Sequence, residues 1–397
     1  MGVSEGESGK VRGESGWGRR NVVDKMTAIW QDDGMVIQQF LRSGGSLAEL
    51  QSKYAVKTSR SLKHPSLVLL KYHQTESPMA ERIVQECRGL ILDEANNWAV
   101  VSRSFDKFFN YGEGHAAAID WSTARVQEKL DGSLCVLYNY KGEWCVQTSG
   151  RPDAGGQVGD AQFTFAELFW RVFDTLRLQL PDDVDVCLSF ELMSKWNRVV
   201  VQHAEPTLRL IGVRRLAGAE EPVALWADKY PVVKAFELQS LKDIAETFRT
   251  MEPLKQEGYV VVDGAFNRIK VKHPGYVAIH HLRDGCSTRR LAEIVQAGEV
   301  GEFLAYFPEW TDEFTKIQTG LASLESELEA DFARIQPACP IQKDFAHYAT
   351  KTRCGAALFM LRAGKVASIG EFLRTRLKPD DLLRLIGLRD KVVGGEV

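Results

Sequence analysis

Apolar positions along the chain follow two rhythms. After Lys129, the residues Leu134, Val136 and Tyr138 alternate with their neighbours, Lys141-Gly142 interrupts, and Trp144 and Val146 resume. Successive strand side chains point to opposite faces, so this pattern predicts a β-hairpin closed by a glycine-containing turn. Similar patterns predict strands at SLVLLKY (66–72), on both sides of Asn96-Asn97 in CRGLILDEANNWAVV, and at VDVCLSFELM, NRVVVQH and LRLIGVRRL. A second hairpin, EGYVVVDGAFNRIKVKH, turns at Asp263-Gly264.

Helical spacing governs other stretches. Phe165, Leu168, Phe169, Val172, Phe173 and Leu176 share one face before Pro181. MVIQQFLRSGGSLAELQSKY predicts two short helices, the second opened by Ser46 with Glu49 three residues on as a capping box, and LKDIAETFRTM predicts another. Beyond Cys286 the strands cease: Phe314, Ile317, Leu321, Leu324, Leu328 and Phe332 recur every three or four residues, and FAHYATKTRCGAALFMLR and DDLLRLIG read as helix. The expected fold class is α+β, antiparallel sheets with helices, followed by an all-helical C-terminal domain. The expected layout is a disordered tail over 1–25, a body over 26–285 and helices over 286–397. The tail is rich in Gly, Ser, Glu and Arg and lacks the apolar centre of a secretory signal, which makes Met26 a second candidate start.

Composition narrows the classes. A chain of 397 residues suggests two or three domains, and no apolar run approaches the roughly 18 residues of a membrane span. With 50 Lys+Arg against 53 Asp+Glu, the net charge of -3 gives no overall field for nucleic acid, so a polyanion must meet a local basic groove. The 7 cysteines are scattered without a CxxC pair, which suggests a reducing compartment, the cytoplasm first and the nucleus as the alternative.

The candidate chemistry centres on Lys129 of KLDGS, a cation at the threshold of an apolar hairpin. A lysine whose pKa is lowered by burial near other cations or a metal becomes a nucleophile. Gly132 would let a ligand approach the backbone, and Asp131 could orient the amine or a metal. By itself KxDG more often marks a salt-bridged lysine before a turn. Four further segments shift the balance: ECRG (86–89), SRSFDKFFNYGE (102–113), FELMSKWNRVVV (190–201), and EGYVVV with RIKVKHPGY (257–276). Taken singly, their carboxylates, lysines and aromatics would be ordinary ion pairs, solvated faces and core residues.

In order and spacing these segments resemble the covalent nucleotidyltransferases, and within them the RNA ligase 1 family of T-even phages. KLDGS is similar to motif I, FEL to motif III, EGYV to motif IV and KVK to motif V, and the resemblance covers about Tyr72 to His280. It implies an enzyme that uses ATP and magnesium (or manganese) to join RNA 5′-phosphate and 3′-hydroxyl ends in three steps. Lys129 would carry AMP, the AMP would pass to the RNA 5′-phosphate, and the 3′-hydroxyl would then displace it. The same resemblance assigns Arg88 and Lys107 to phosphates, Phe109 to stacking near adenine, and Gly132 to the nucleotide. It assigns Tyr72 and Tyr276 to the nucleotide pocket, Lys270 and Lys272 to the α-phosphate, and Glu191 and Glu257 to the metal.

Two departures stand out. A family lysine after the motif I hairpin falls on Ser149 here, with Arg151 two residues on as a candidate substitute. A metal-linked acid of the family could fall on Glu299 or Glu302. The basic-apolar stretches KTRCGAALFMLRAGK and RTRLK suit RNA contact, with tRNA as one expected substrate, or simply a solvated basic face. No GxxxxGK[ST] P-loop occurs in the sequence, so a separate kinase and phosphatase would have to heal the ends. No membrane partner is expected. Two other readings remain: a DNA ligase or capping-type nucleotidyltransferase, and a catalytically retired RNA-binding or nucleotide-sensing module on the same fold.

Overall fold

The computed structural model describes residues 34–282 and 287–388; the expected tail over 1–25 and the expected boundary at 285/286 lie outside the described residues. Two short helices, α1 (Val36–Arg42) and α2 (Leu47–Tyr54), open the chain, and the Ser46/Glu49 capping box forms in both directions. An antiparallel sheet follows, β1 (Val56–Arg60), β2 (Leu67–Tyr72), β3 (Arg88–Asp93) and β4 (Ala99–Ser102), with α3 (Arg82–Glu86) before β3. Strand β1 is an edge strand that the pattern missed, because VKTSR carries one buried apolar residue, Val56.

The remaining strands build two five-stranded sheets. In chain order they are β5 (Phe109–Asn110), β6 (Arg125–Lys129), β7 (Ser133–Tyr140), β8 (Glu143–Thr148), β9 (Val186–Met193), β10 (Thr207–Arg215), β11 (Glu220–Glu221), β12 (Ala235–Phe236), β13 (Gly258–Val262) and β14 (Arg268–Lys272). The second sheet runs β11-β10-β9-β7-β8 and the third β12-β6-β13-β14-β5, where β5 joins β14 in parallel. The β7-β8 turn lies at Lys141 and Gly142, both with positive φ, the conformation a tight hairpin requires.

Alternation explains the layering. On β2, Val68 and Leu70 pack toward the first helices, while Leu67 and Leu69 meet Val136 and Tyr138 of β7 between the first two sheets. The other face of β7, Cys135 and Leu137, packs on α4 (Phe165–Thr175), whose Leu168, Phe169, Val172 and Phe173 are buried. Helix α5 (Leu241–Thr247) and the chain before β6 cover the third sheet through Val126, Ile244 and Tyr259.

One expected strand does not form. NRVVVQH is irregular, because the amides of Val200 and Val201 donate to Asp131 Oδ2 at 2.9 and 2.6 Å instead of to a neighbouring strand. Helices then take over: α6 (Pro274–Leu282), α7 (Thr288–Ala297), α8 (Val300–Tyr306), α9 (Thr311–Ala338), α10 (Gln342–Ala349), α11 (Gly355–Arg362), α12 (Ile369–Thr375) and α13 (Pro379–Leu385). The expected single helix over FAHYATKTRCGAALFMLR is two, broken at 350–354, where a Cβ on Gly355 would lie 2.5 Å from the Ala349 carbonyl oxygen. Helices α7 to α13 enclose a core of their own, drawn from Leu291 to Leu383 around Phe303, Phe314, Leu324, Leu328 and Phe345. Among the described residues no helix is long and apolar enough to cross a membrane.

Candidate active site

The register of the third sheet assembles the charged groups. Lys129 on β6 and Lys272 on β14 both pair with Gly258, and Lys270 pairs with Val260, which also pairs with Gln127. Cross-strand partners share a face, so Gln127, Lys129, Lys270 and Lys272 project from one side. Gly258 has φ of +142°, and a Cβ there would lie 2.3 Å from the Val271 carbonyl oxygen. Only glycine fits, and the gap it leaves between the two lysines is filled by Glu257. Lys129 Nζ donates to Glu257 Oε2 at 2.6 Å, and Lys272 Nζ lies 3.1 Å from Oε1.

A cavity of about 250 Å³ opens over this face, between the second and third sheets. Lys129, Gly132, Glu191, Lys270, Arg88 and Arg268 line it, with Phe105 and Phe108 from the loop before β5. That loop is tied down by ion pairs: Asp106 joins Arg103 at 3.0 Å, Arg214 at 3.2 Å and Arg82 at 2.5 Å. Burial works against the Asp106 charge, yet Arg214, Arg103 and Arg82 outweigh it and hold the pKa down.

The electrostatics are unbalanced toward positive charge. Among the described residues, Arg88, Lys107 and Lys270 have no carboxylate partner, and Arg88 Nη1 is buried with no hydrogen bond. Aromatic faces surround them instead: the Arg88 guanidinium lies 5.4 Å from the Phe108 ring centroid, Lys107 Nζ 5.0 and 5.2 Å from Tyr72 and Phe109, and Lys270 Nζ 5.1 Å from Phe108. Burial, then the nearby Lys107, Lys129, Arg88 and Lys272, push Lys270 well below the ordinary lysine range. Burial would do the same to Lys272, but Glu257 and Glu302 overcome it and keep that amine charged. A wall of uncompensated cations suits a polyanionic ligand such as a nucleoside triphosphate.

Glu191, on β9 across the cavity, has no hydrogen-bond donor among the described residues. Burial pushes its pKa up to about 7, with Lys129 opposing and Glu257 adding. A desolvated carboxylate without a donor, near the doubly used Glu257, is a donor set that fits a hard divalent cation.

Lys129, Arg88, Gly132, Lys270 and Glu191 meet at the cavity, with Glu257 and Lys272 behind them. Gly132 is required by close approach of β9, since a Cβ would sit 2.5 Å from the Leu192 carbonyl oxygen. Asp131 serves the backbone at Val200 and Val201 rather than the amine. Tyr276 is buried against Val200 and Val201, with its ring 5.7 Å from Lys272 Nζ, and so supports the site from behind. Phe109 is buried on β5 beneath Lys107, and the rings that face the cavity are Phe105 and Phe108, from the same SRSFDKFF segment. Tyr72 lines a neighbouring cavity. Helix α8 reaches the same lysine: Glu302 ion-pairs with Lys272, and Tyr306 Oη accepts the Lys272 amide at 2.6 Å.

Comparison with known proteins bears on this arrangement. Residues 86–276 match the model of the RNA ligase family typified by the T4 phage enzyme. The chain belongs to that family. A protein named as a bifunctional polynucleotide kinase/RNA ligase, from Autographa californica nuclear polyhedrosis virus, is 33% identical over 290 residues, covering 68% of this chain and 41% of its own length. The RNA ligase of Rhodothermus phage RM378 is 27% identical over 316 residues, covering 63% of this chain and 72% of its own. This chain therefore spans about two fifths of the first relative and most of the second. An archaeal ATP-dependent RNA ligase of known structure superposes at a TM-score of 0.44 and 16% identity, over 73% of this chain and 83% of that one, a likeness too slight to carry functional weight.

Proposed function

We propose that this family member is an ATP-dependent RNA ligase that works through a lysyl-AMP intermediate. The observation that carries the reading is the Lys129 amine, fixed at 2.6 Å on Glu257 beside a cavity where Arg88 and Lys270 have no carboxylate partner among the described residues. Lys129 Nζ attacks the α-phosphorus of ATP; the N–P bond forms, the bond to pyrophosphate breaks, and Glu257 Oε2 is placed to take the amine's proton. Lys270, Lys272 and Arg88 meet the charge that builds on phosphoryl oxygens. A divalent cation, magnesium or manganese, would be held by Glu191 and Glu257 and would supply further positive charge there. The AMP then passes to an RNA 5′-phosphate, and the 3′-hydroxyl of the other end displaces it, forming the phosphodiester.

The RNA is one whose break has been healed to 5′-phosphate and 3′-hydroxyl ends, with cut tRNA as the first candidate. A separate kinase and phosphatase would do the healing; the pairing of kinase and ligase in the viral relative's name supports such coupling. The helices after residue 286 would contribute to choosing the RNA. The test is sealing of a nicked RNA stem bearing those ends, with ATP and magnesium. The wild-type chain should seal it, Lys129→Ala should lose at least ~10³-fold, and sealing by the variant at the wild-type rate would refute the nucleophile.

A further inference from the structure

A second cavity, of about 260 Å³, lies beside the first and is lined by Lys71, Tyr72, Gln74, Arg88, Leu134 and Ser149. Arg88 and Leu134 belong to both walls, so the two spaces adjoin at Arg88. Its charge comes from neighbouring strands: Lys71 on β2 pairs in register with Arg88 on β3. Among the described residues neither side chain has a carboxylate partner, and Lys71 is half-buried at the end of a strand whose Leu67, Val68, Leu69 and Leu70 are buried. Burial, together with the nearby Arg88 and Lys57, lowers the Lys71 pKa. Two adjacent, partly desolvated cations without an anion are costly unless a ligand supplies one.

The location of Lys71 bears on Ser149. Lys71 Nζ lies 3.5 Å from where a Cβ on Gly150 would stand, directly beside the Ser149 position. Arg151, the substitute suggested by sequence, is exposed and lines neither cavity; its side chain lies toward Gly156. We propose that Lys71 is a phosphate-binding residue, which supplies from β2 the cation that position 149 lacks and, with Arg88, seats a phosphoryl group next to the one that Lys129 attacks. This rests on the ligase reading. Two sources share that chemistry, the distal phosphates of ATP and the 5′-phosphate of the RNA.

The experiment compares wild type, Lys71→Met, Lys71→Met with Ser149→Lys, and Arg151→Ala, all in the full chain. Three rates are read: lysyl-AMP formation against ATP concentration, AMP transfer from preformed adenylylated protein to 5′-phosphate RNA, and sealing of pre-adenylylated RNA. Lys71→Met should raise the KM for ATP or for the RNA 5′-phosphate about tenfold or more, with sealing of pre-adenylylated RNA within about twofold. A shift in the first rate places ATP phosphates in the second cavity, and a shift in the second places the RNA phosphate there. The Ser149→Lys change should restore most of the loss and Arg151→Ala should change little. The proposal is overturned if Lys71→Met leaves both KM values unchanged, or if its defect is untouched by Ser149→Lys while Arg151→Ala reproduces it. A wild-type chain that forms no lysyl-AMP would instead sink the ligase reading itself.

Discussion

At the scale of single residues, the site holds charge the fold would be more stable without. Burial opposes the charge on Lys270, and the nearby Lys107, Lys129, Arg88 and Lys272 add their repulsion. Its pKa lies below that of the unfolded chain, so protonated Lys270 opposes folding. That penalty is full below the lowered pKa and gone above the ordinary lysine value of about 10.4. Lys270→Met should therefore raise stability by about 1 kcal/mol at neutral pH, with the gain fading as pH rises toward that value, while lysyl-AMP formation collapses. Denaturation midpoints across pH, paired with an adenylylation assay, check both halves; a destabilised variant would contradict the charge account.

At the scale of elements, Asp131 shows how the KLDGS segment does more than place Lys129. Its carboxylate takes the place of a neighbouring strand for the buried amides of Val200 and Val201. Asp131→Ala leaves both donors unsatisfied and should cost about 2–4 kcal/mol, read as a shift of the denaturant midpoint at unchanged slope. Alternation and capping made most elements legible in the sequence, from the β7-β8 hairpin to the Ser46/Glu49 box. What failed were segments whose outcome depends on a distant partner. VVV at 199–201 has strand propensity, but its amides are claimed by a side chain 69 and 70 residues away. The site followed the same division: the motif residues were readable, but the ion pair of Glu302 with Lys272 depends on where α8 docks, which local pattern does not encode. Phe105 and Phe108, rather than Phe109, face the cavity because β5 commits Phe109 to the sheet beside Ile269.

At the scale of the whole molecule, the helical part completes the site as well as following it. Helices α7 to α13 have their own core, yet α8 sends Glu302 and Tyr306 to Lys272. Truncation after residue 286 should thus leave a chain whose Lys272 has lost two of its partners, and lysyl-AMP formation should fall about tenfold or more even where the sheets stay folded. Circular dichroism establishes folding, and the adenylylation rate decides; a full rate from the folded truncation would show that α8 contributes nothing to the first step.

The central claim is that Lys129, at the end of β6, faces the cavity in order to meet a phosphorus atom. Its most direct measurement is the intact mass of wild type and Lys129→Ala after incubation with magnesium and pyrophosphatase, with ATP or GTP and without RNA. The account predicts a gain of one AMP on the wild type with ATP alone and no gain on the variant. No adduct on folded wild-type protein, or a GMP adduct in place of AMP, would contradict it, the first pointing to a retired binding module and the second to capping chemistry.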